Sequence, residues 1–168
     1  MPHLPTALFV GRFQPFHNGH LLVVQGMAKL CGKIIIAIGS SQEKDTEKNP
    51  YSVSDRREMI QRALQAVNII PMKDVQIIDV PDQPKDDEWT KKVLGLSGPV
   101  EMVWTGDAKT KECFVAAGVP VKDIKEVPGI SGEEVRHRIK EGGNWKAIVP
   151  PDVASYIDLL KGVKENQK

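Results

Sequence analysis

Five successive apolar residues, Ile34-Ile35-Ile36-Ala37-Ile38, constrain the fold of this chain most. The isoleucines are β-branched, stiff at χ1 and suited to an extended backbone. Successive strand residues point to opposite faces, so a run with no polar member must be covered on both sides. That is the environment of a parallel sheet with a helix layer on each face. Shorter runs at 7–10, 75–80 and 100–104, and a weaker one at 125–127, repeat the theme. Segments of helical period separate them, at 20–31, 54–66, 88–94, 109–117, 132–140 and 152–160. The alternation predicts an α/β fold: a Rossmann-like, doubly wound parallel sheet of about five strands flanked by helices.

The helical segments carry their own signals. The first turns Leu21, Val24, Ala28 and Cys31 to one side, and the second turns Met59, Ile60, Ala63 and Leu64 inward behind a Ser54 cap. Arg56, Arg57 and Arg62 on that second helix read as its solvated face. Residues 39–50 are polar and read as a mobile loop at a strand's carboxyl end, where sites of α/β proteins collect. After Val163 the chain reads as a charged, frayed tail.

A length of 168 residues suits one domain over residues 1–168. A net charge of +1 without a basic tract argues against a general nucleic-acid binder. No apolar stretch approaches the roughly 20 residues of a membrane span, and no signal-type start is present. The expected location is therefore the cytoplasm, with Cys31 and Cys113 reduced and half-buried.

Chemistry concentrates where the first strand ends. The run Ala7-Leu8-Phe9-Val10 leads into Gly11-Arg12-Phe13-Gln14-Pro15-Phe16-His17-Asn18-Gly19-His20. Two imidazoles, an arginine and two glycines then stand where a strand turns into a helix. Glycine allows close backbone approach, and a helix start offers unpaired N–H groups and partial positive charge. The element reads as a phosphate-handling turn. Histidines at this spacing could instead share a metal, but no nearby third ligand of the usual kind is evident, and no metal-binding residue is assigned.

Weaker signals follow. Gly39-Ser40-Ser41-Gln42 occupies the equivalent place after the second strand and is either a nucleotide-contacting turn or an ordinary strand ending. In Ile130-Ser131-Gly132-Glu133-Glu134-Val135-Arg136, Ser131 can cap a helix whose first N–H groups face an anion, with Arg136 one turn further in. Glu133 and Glu134 equally fit a plain surface helix with an acidic first turn. Trp89, amid Asp86, Asp87 and Glu88, is either a lid on the core or a platform for a flat ring.

Together these residues resemble the archaeal-type nicotinamide-nucleotide adenylyltransferases of the HxGH nucleotidyltransferase superfamily, over nearly the whole chain. The opening GRFQPFHNGH stretch carries most of the likeness. Asn49-Pro50-Tyr51 with Arg56, Ser131-Gly132 with Val135-Arg136, Asp82 with Trp89, and Gly142-Asn144-Trp145 with Val149-Pro150 add to it. Glu133 stands where the family has a threonine, and Asp86 and Asp107 stand where it has asparagines.

The resemblance implies adenylyl transfer from ATP to nicotinamide mononucleotide, giving NAD and pyrophosphate in NAD biosynthesis. It implies catalytic roles for His17, His20 and Arg136, and ATP contacts at Gly11, Arg12, Phe13, Gly19, Gly106, Ser131 and Gly132. The acceptor would meet Ser40, Asn49, Asp82 and Trp89, Mg²⁺ would arrive mainly on the ATP phosphates, and a homo-oligomer, often a hexamer, is expected. Two other readings stand beside it. One is an adenylyl- or cytidylyltransferase for another phosphorylated acceptor such as flavin mononucleotide. The other is a nucleotide-sensing module without catalysis, with Glu133 as its best argument. Truncation of His20 to alanine is expected to lower turnover by orders of magnitude while barely changing folding.

Overall fold

Strand β1 (Thr6–Gly11) runs up the middle of the molecule and carries the isoleucine-rich β2 (Lys33–Ile38) on one flank. The computed structural model describes residues 2–167. Helix α1 (Asn18–Leu30) joins these strands, and α2 (Val53–Ala66) leads to β3 (Asp74–Asp79). Then come α3 (Asp86–Ser97), β4 (Met102–Thr105), α4 (Ala108–Ala116), β5 (Val121–Asp123), α5 (Gly132–Glu141) and α6 (Pro151–Asn166). Strand order is β3-β2-β1-β4-β5 with every pairing parallel, a doubly wound sheet.

The two-faced burial expected of β2 is what the sheet provides. Ile34, Ile36 and Ile38 join Ala7 and Phe9 on one face, packed by Val24 and Met27 of α1, Met59, Ile60, Ala63 and Leu64 of α2, and Val153 and Ile157 of α6. Ile35 and Ala37 join Leu8 and Val103 on the other, under Val93 of α3 and Phe114 of α4. Burial of each such side chain contributes about 1.5–3 kcal/mol, so the sheet is anchored on both sides.

Several boundaries differ from the sequence expectation. The last strand is Val121–Asp123, not 125–127. Val121 pairs with Val103, and the Ile124 N–H bonds the Thr105 carbonyl where β4 ends, so residues 125–127 run past the sheet and line a hollow instead. Strand β4 is Met102–Thr105 rather than 100–104. The cap of α2 is Ser52, whose Oγ accepts the Asp55 N–H at 3.1 Å; Ser54 lies inside the helix and is exposed. Helix α3 is longer than 88–94, and α6 continues through the expected frayed tail to Asn166. Cys31 is fully buried while Cys113 is partly exposed, and both are free thiols. Among the described residues no helix is long and apolar enough to cross a membrane.

Candidate active site

Neighbouring strands β1 and β4 send their following chain to opposite sides of the sheet, so a crevice opens at their carboxyl ends. Such switch points are where doubly wound sheets bind ligands. Two hollows meet here, sharing Val10 and Asp107. The first, about 300 Å³, is lined by His17, Gly19, His20, Gly106, Ser131 and Gly132, with residues 124–127. The second, about 780 Å³, is lined by Gly11, Arg12, Ser40, Asp82, Trp89 and Asp107 among others. Arg12 also reaches a third depression beside Tyr51, Glu133 and Arg136.

The histidines build the start of α1. His17 is its N-cap: its Nδ1 accepts the N–H groups of Gly19 at 3.1 Å and His20 at 3.3 Å. His20, three residues on, accepts the His17 N–H on its own Nδ1 at 3.1 Å. This is a capping box in which imidazoles replace the usual hydroxyl and carboxylate. Because each Nδ1 is an acceptor, the proton of each neutral ring is on Nε2. The rings stack with centroids 3.5 Å apart, and Phe16 and Phe13 pack against His20 at 5.4 and 4.7 Å. Burial pulls the His17 pKa down to about 4, and burial with the neighbouring His17 holds His20 well below 6.5. Both rings are therefore neutral hydrogen-bond donors through Nε2 at neutral pH.

Gly19 lines the first hollow and makes room for this arrangement: a Cβ there would lie 2.9 Å from His17 Cε1. On the opposite wall, Ser131 caps α5, its Oγ accepting the Glu134 N–H at 3.0 Å. Gly132 leaves room for Arg136, whose Nη1 would sit 2.8 Å from a Cβ at that position. Nη1 of Arg136 donates to the Gln14 carbonyl at 2.8 Å. The Gln14 amide in turn brackets Tyr51, donating to its carbonyl and accepting its N–H, both at 2.9 Å. Burial, and then Arg12, lowers the Arg136 pKa from its ordinary value, the electrostatic mark of two cations facing one space.

In the second hollow Asp82 is held by donors on both carboxylate oxygens, Ser40 Oγ at 2.9 Å and Gln42 Nε2 at 2.7 Å. Trp89 is half-buried, its ring edge-on to Phe114 with centroids 5.8 Å apart, and it also lines the hollow. Asp107 caps α4 by accepting from Thr110 N and Oγ1 at 2.9 and 2.8 Å. Phe13 contributes a backbone at φ 55° and a ring that is buried in the core. Asn49 is not among the residues lining this hollow: its neighbours Lys48 and Pro50 line the third depression, and its Oδ1 is buried without a partner. No three His, Cys, Asp or Glu side chains gather as a metal site among the described residues.

Sequence reasoning misplaced Arg56. It is fully buried, not solvated, and its guanidinium bonds the backbone carbonyls of Arg12, Gly39, Ser40, Glu43 and Ser52 at 2.8–3.3 Å. The 39–50 stretch is correspondingly tied down at its root rather than free. Helical periodicity did place Arg56 beside the inward-facing Met59, Ile60 and Ala63 positions, which was the available signal.

Comparison with known proteins gives the class first. Residues 8–138 match the cytidylyltransferase-like family. The chain is 35% identical over 162 residues to the nicotinamide-nucleotide adenylyltransferase of Methanococcus aeolicus, covering 93% of this chain and 90% of that one. It is 36% identical over 164 residues to the nicotinamide-nucleotide adenylyltransferase of Thermococcus kodakarensis, covering 94% and 84%. Within that class, this chain belongs to the nicotinamide-nucleotide adenylyltransferase family. A solved structure of a bifunctional NMN adenylyltransferase/ADP ribose pyrophosphatase from Francisella tularensis, complexed with AMP and a manganese ion, shares the fold. Its TM-score is 0.71 at 24% identity, with 92% of this chain matched. This chain spans about half of that protein's length, 49%.

Proposed function

We propose that this chain transfers the adenylyl group of ATP to nicotinamide mononucleotide, forming NAD and releasing pyrophosphate. The observation that carries this reading is the pair of imidazoles whose Nδ1 atoms are occupied by backbone N–H groups at the wall of the first hollow. Two neutral Nε2–H donors are thereby fixed in direction before any ligand arrives.

The acceptor's phosphate is already ionised near neutral pH, so no general base is needed. One of its oxygens attacks the α-phosphorus of ATP, the bond to the bridging oxygen breaks, and pyrophosphate leaves with the electron pair. The protein supplies alignment and charge stabilisation. His17 and His20 donate to phosphate oxygens as charge moves toward the leaving group. Arg136 and Arg12 hold the β- and γ-phosphates, and Mg²⁺ enters as part of the ATP complex. Adenosine lies in the first hollow against Gly106 and residues 124–127, beside the Ser131–Gly132 helix start. In the second hollow Trp89 stacks on the nicotinamide ring and Asp82, held by Ser40 and Gln42, bonds its amide.

The full span 1–168 acts as one domain, in the cytoplasm and as a homo-oligomer up to a hexamer, without nucleic-acid or membrane partners. Purified protein incubated with ATP, Mg²⁺ and nicotinamide mononucleotide should form NAD and pyrophosphate in equal amounts. Pyrophosphate appearing only with flavin mononucleotide or another acceptor would move the substrate. ATP binding without any product would leave a sensing module.

A further inference from the structure

Arg56 presents all of a guanidinium's hydrogen-bonding capacity to main-chain oxygen. Nη1 donates to Arg12 O at 2.9 Å and Gly39 O at 2.8 Å. Nη2 donates to Ser40 O at 3.1 Å and Glu43 O at 3.3 Å, and Nε to Ser52 O at 3.3 Å. The residue is 0% exposed, and no carboxylate is among these partners; Asp79 is paired with Arg57 instead. Its direct hydrogen bonds all go to carbonyls, with the Asp79 and Glu43 carboxylates acting only at longer range. Such a buried cation is a costly device for mere filling, since an apolar side chain would pack against Met59 and Ile60 without desolvating charge.

Ser52 is the N-cap of Arg56's own helix, and the other four carbonyls belong to two turns that must be held together. Arg12 O lies directly before Phe13, at φ 55°, and Ser40 is itself at φ 45°, left-handed conformations that non-glycine residues adopt only when surroundings impose them. The first turn carries the Arg12 side chain, and the second carries Ser40, whose hydroxyl holds Asp82. We infer that Arg56 is the positioning residue that sets the distance between the phosphate-binding turn after β1 and the acceptor-binding turn after β2. This rests on the function proposed above, because it assigns the two turns to the two substrates. A planar fork can bind both turns at once; a lysine ammonium, a point donor on a flexible stem, cannot.

The test compares wild type with Arg56→Lys and Arg56→Met, using thermal unfolding, ATP binding by calorimetry, and steady-state kinetics with each substrate varied. Arg56→Lys keeps a buried cation and should fold; Arg56→Met is the stricter removal. In each folded variant kcat should fall about 10²-fold, the scale of an ångström-sized misplacement, with acceptor KM raised and ATP affinity within about threefold of wild type. A variant that melts earlier yet keeps wild-type kcat and acceptor KM would overturn the inference and leave Arg56 a structural residue only. Equal losses of ATP and acceptor binding would overturn it as well. Wild-type protein that makes no NAD would instead defeat the functional reading itself.

Discussion

His20 does two jobs with its two nitrogens. Nδ1 closes the capping box on His17, which leaves Nε2–H as the donor of a ring that lines the first hollow. Truncation to alanine therefore removes the N3 half of the capping box and the ring's packing on Phe16, so some loss of stability should accompany the loss of turnover. Loss of that one hydrogen bond costs about 0.5–1.5 kcal/mol. Glutamine is the better probe, because it is the usual partner at this position of a capping box. His20→Gln should leave the melting temperature nearly unchanged while kcat falls by ~10²–10³, the range for losing one transition-state donor. A kcat drop below about tenfold would remove His20 from the chemistry.

The same rings set an acid limit on stability. An unfolded histidine protonates near pH 6.5, whereas folded His17 stays neutral down to about 4. Between those values the unfolded state binds more protons, so stability is full above 6.5 and declines as pH falls toward 4. His17→Ser retains a good N-cap without a titrating ring, and its melting temperature should fall less steeply over that window. An identical slope would show that the His17 ring does not couple to folding. At the acceptor end, Asp82, Asp86 and Asp107 face the second hollow against Arg12 and Lys109. A mononucleotide ending in a carboxylate should react at least ~10-fold less efficiently than the carboxamide, a difference of about 1.4 kcal/mol from like-charge contact. Asp86→Asn should narrow that gap; equal kcat/KM for both acceptors in wild type would contradict the pose.

At the scale of elements, α1 begins where it does because its cap and its reactive groups are the same residues. The sequence made the strand–turn–helix passage legible through Gly11 to His20, but it placed the glycines against phosphate. The structure shows Gly19 making room for the His17 ring. Gly19→Ala should accordingly displace that ring and lower kcat by at least ~10-fold, despite alanine's better helix propensity of about 1 kcal/mol. Unchanged kcat would show that the ring can yield without loss. Helix α2 explains the main misreading. Periodicity identified its inward residues, yet nothing local distinguishes an arginine reaching back to main-chain oxygens of two distant turns from one pointing into water. The displaced last strand has the same origin: Val121-Lys122-Asp123 and Lys125-Glu126-Val127 each carry one valine and two charges, and only pairing with Val103 decides between them.

For the whole molecule, alternation of apolar runs and helical periods was enough to imply a doubly wound sheet, because coverage of Ile34–Ile38 on both faces leaves few other solutions. Strand order was not written there. It follows from which edges pair, and that order puts the switch point between β1 and β4 and so brings the Gly11–His20 turn to face Gly106 and Ser131. Asn49, expected with the acceptor group, does not line the second hollow, and its neighbours Lys48 and Pro50 line a different depression. In the proposed mechanism, two adjoining hollows hold donor and acceptor for one direct displacement at phosphorus. The most direct measurement is the configuration at that phosphorus in NAD made from a single diastereomer of ATP carrying sulfur on the α-phosphate. Inversion is the expected result. Retention would mean an adenylyl group parked on the protein, with His17 or His20 as its carrier, and would contradict the mechanism set out above.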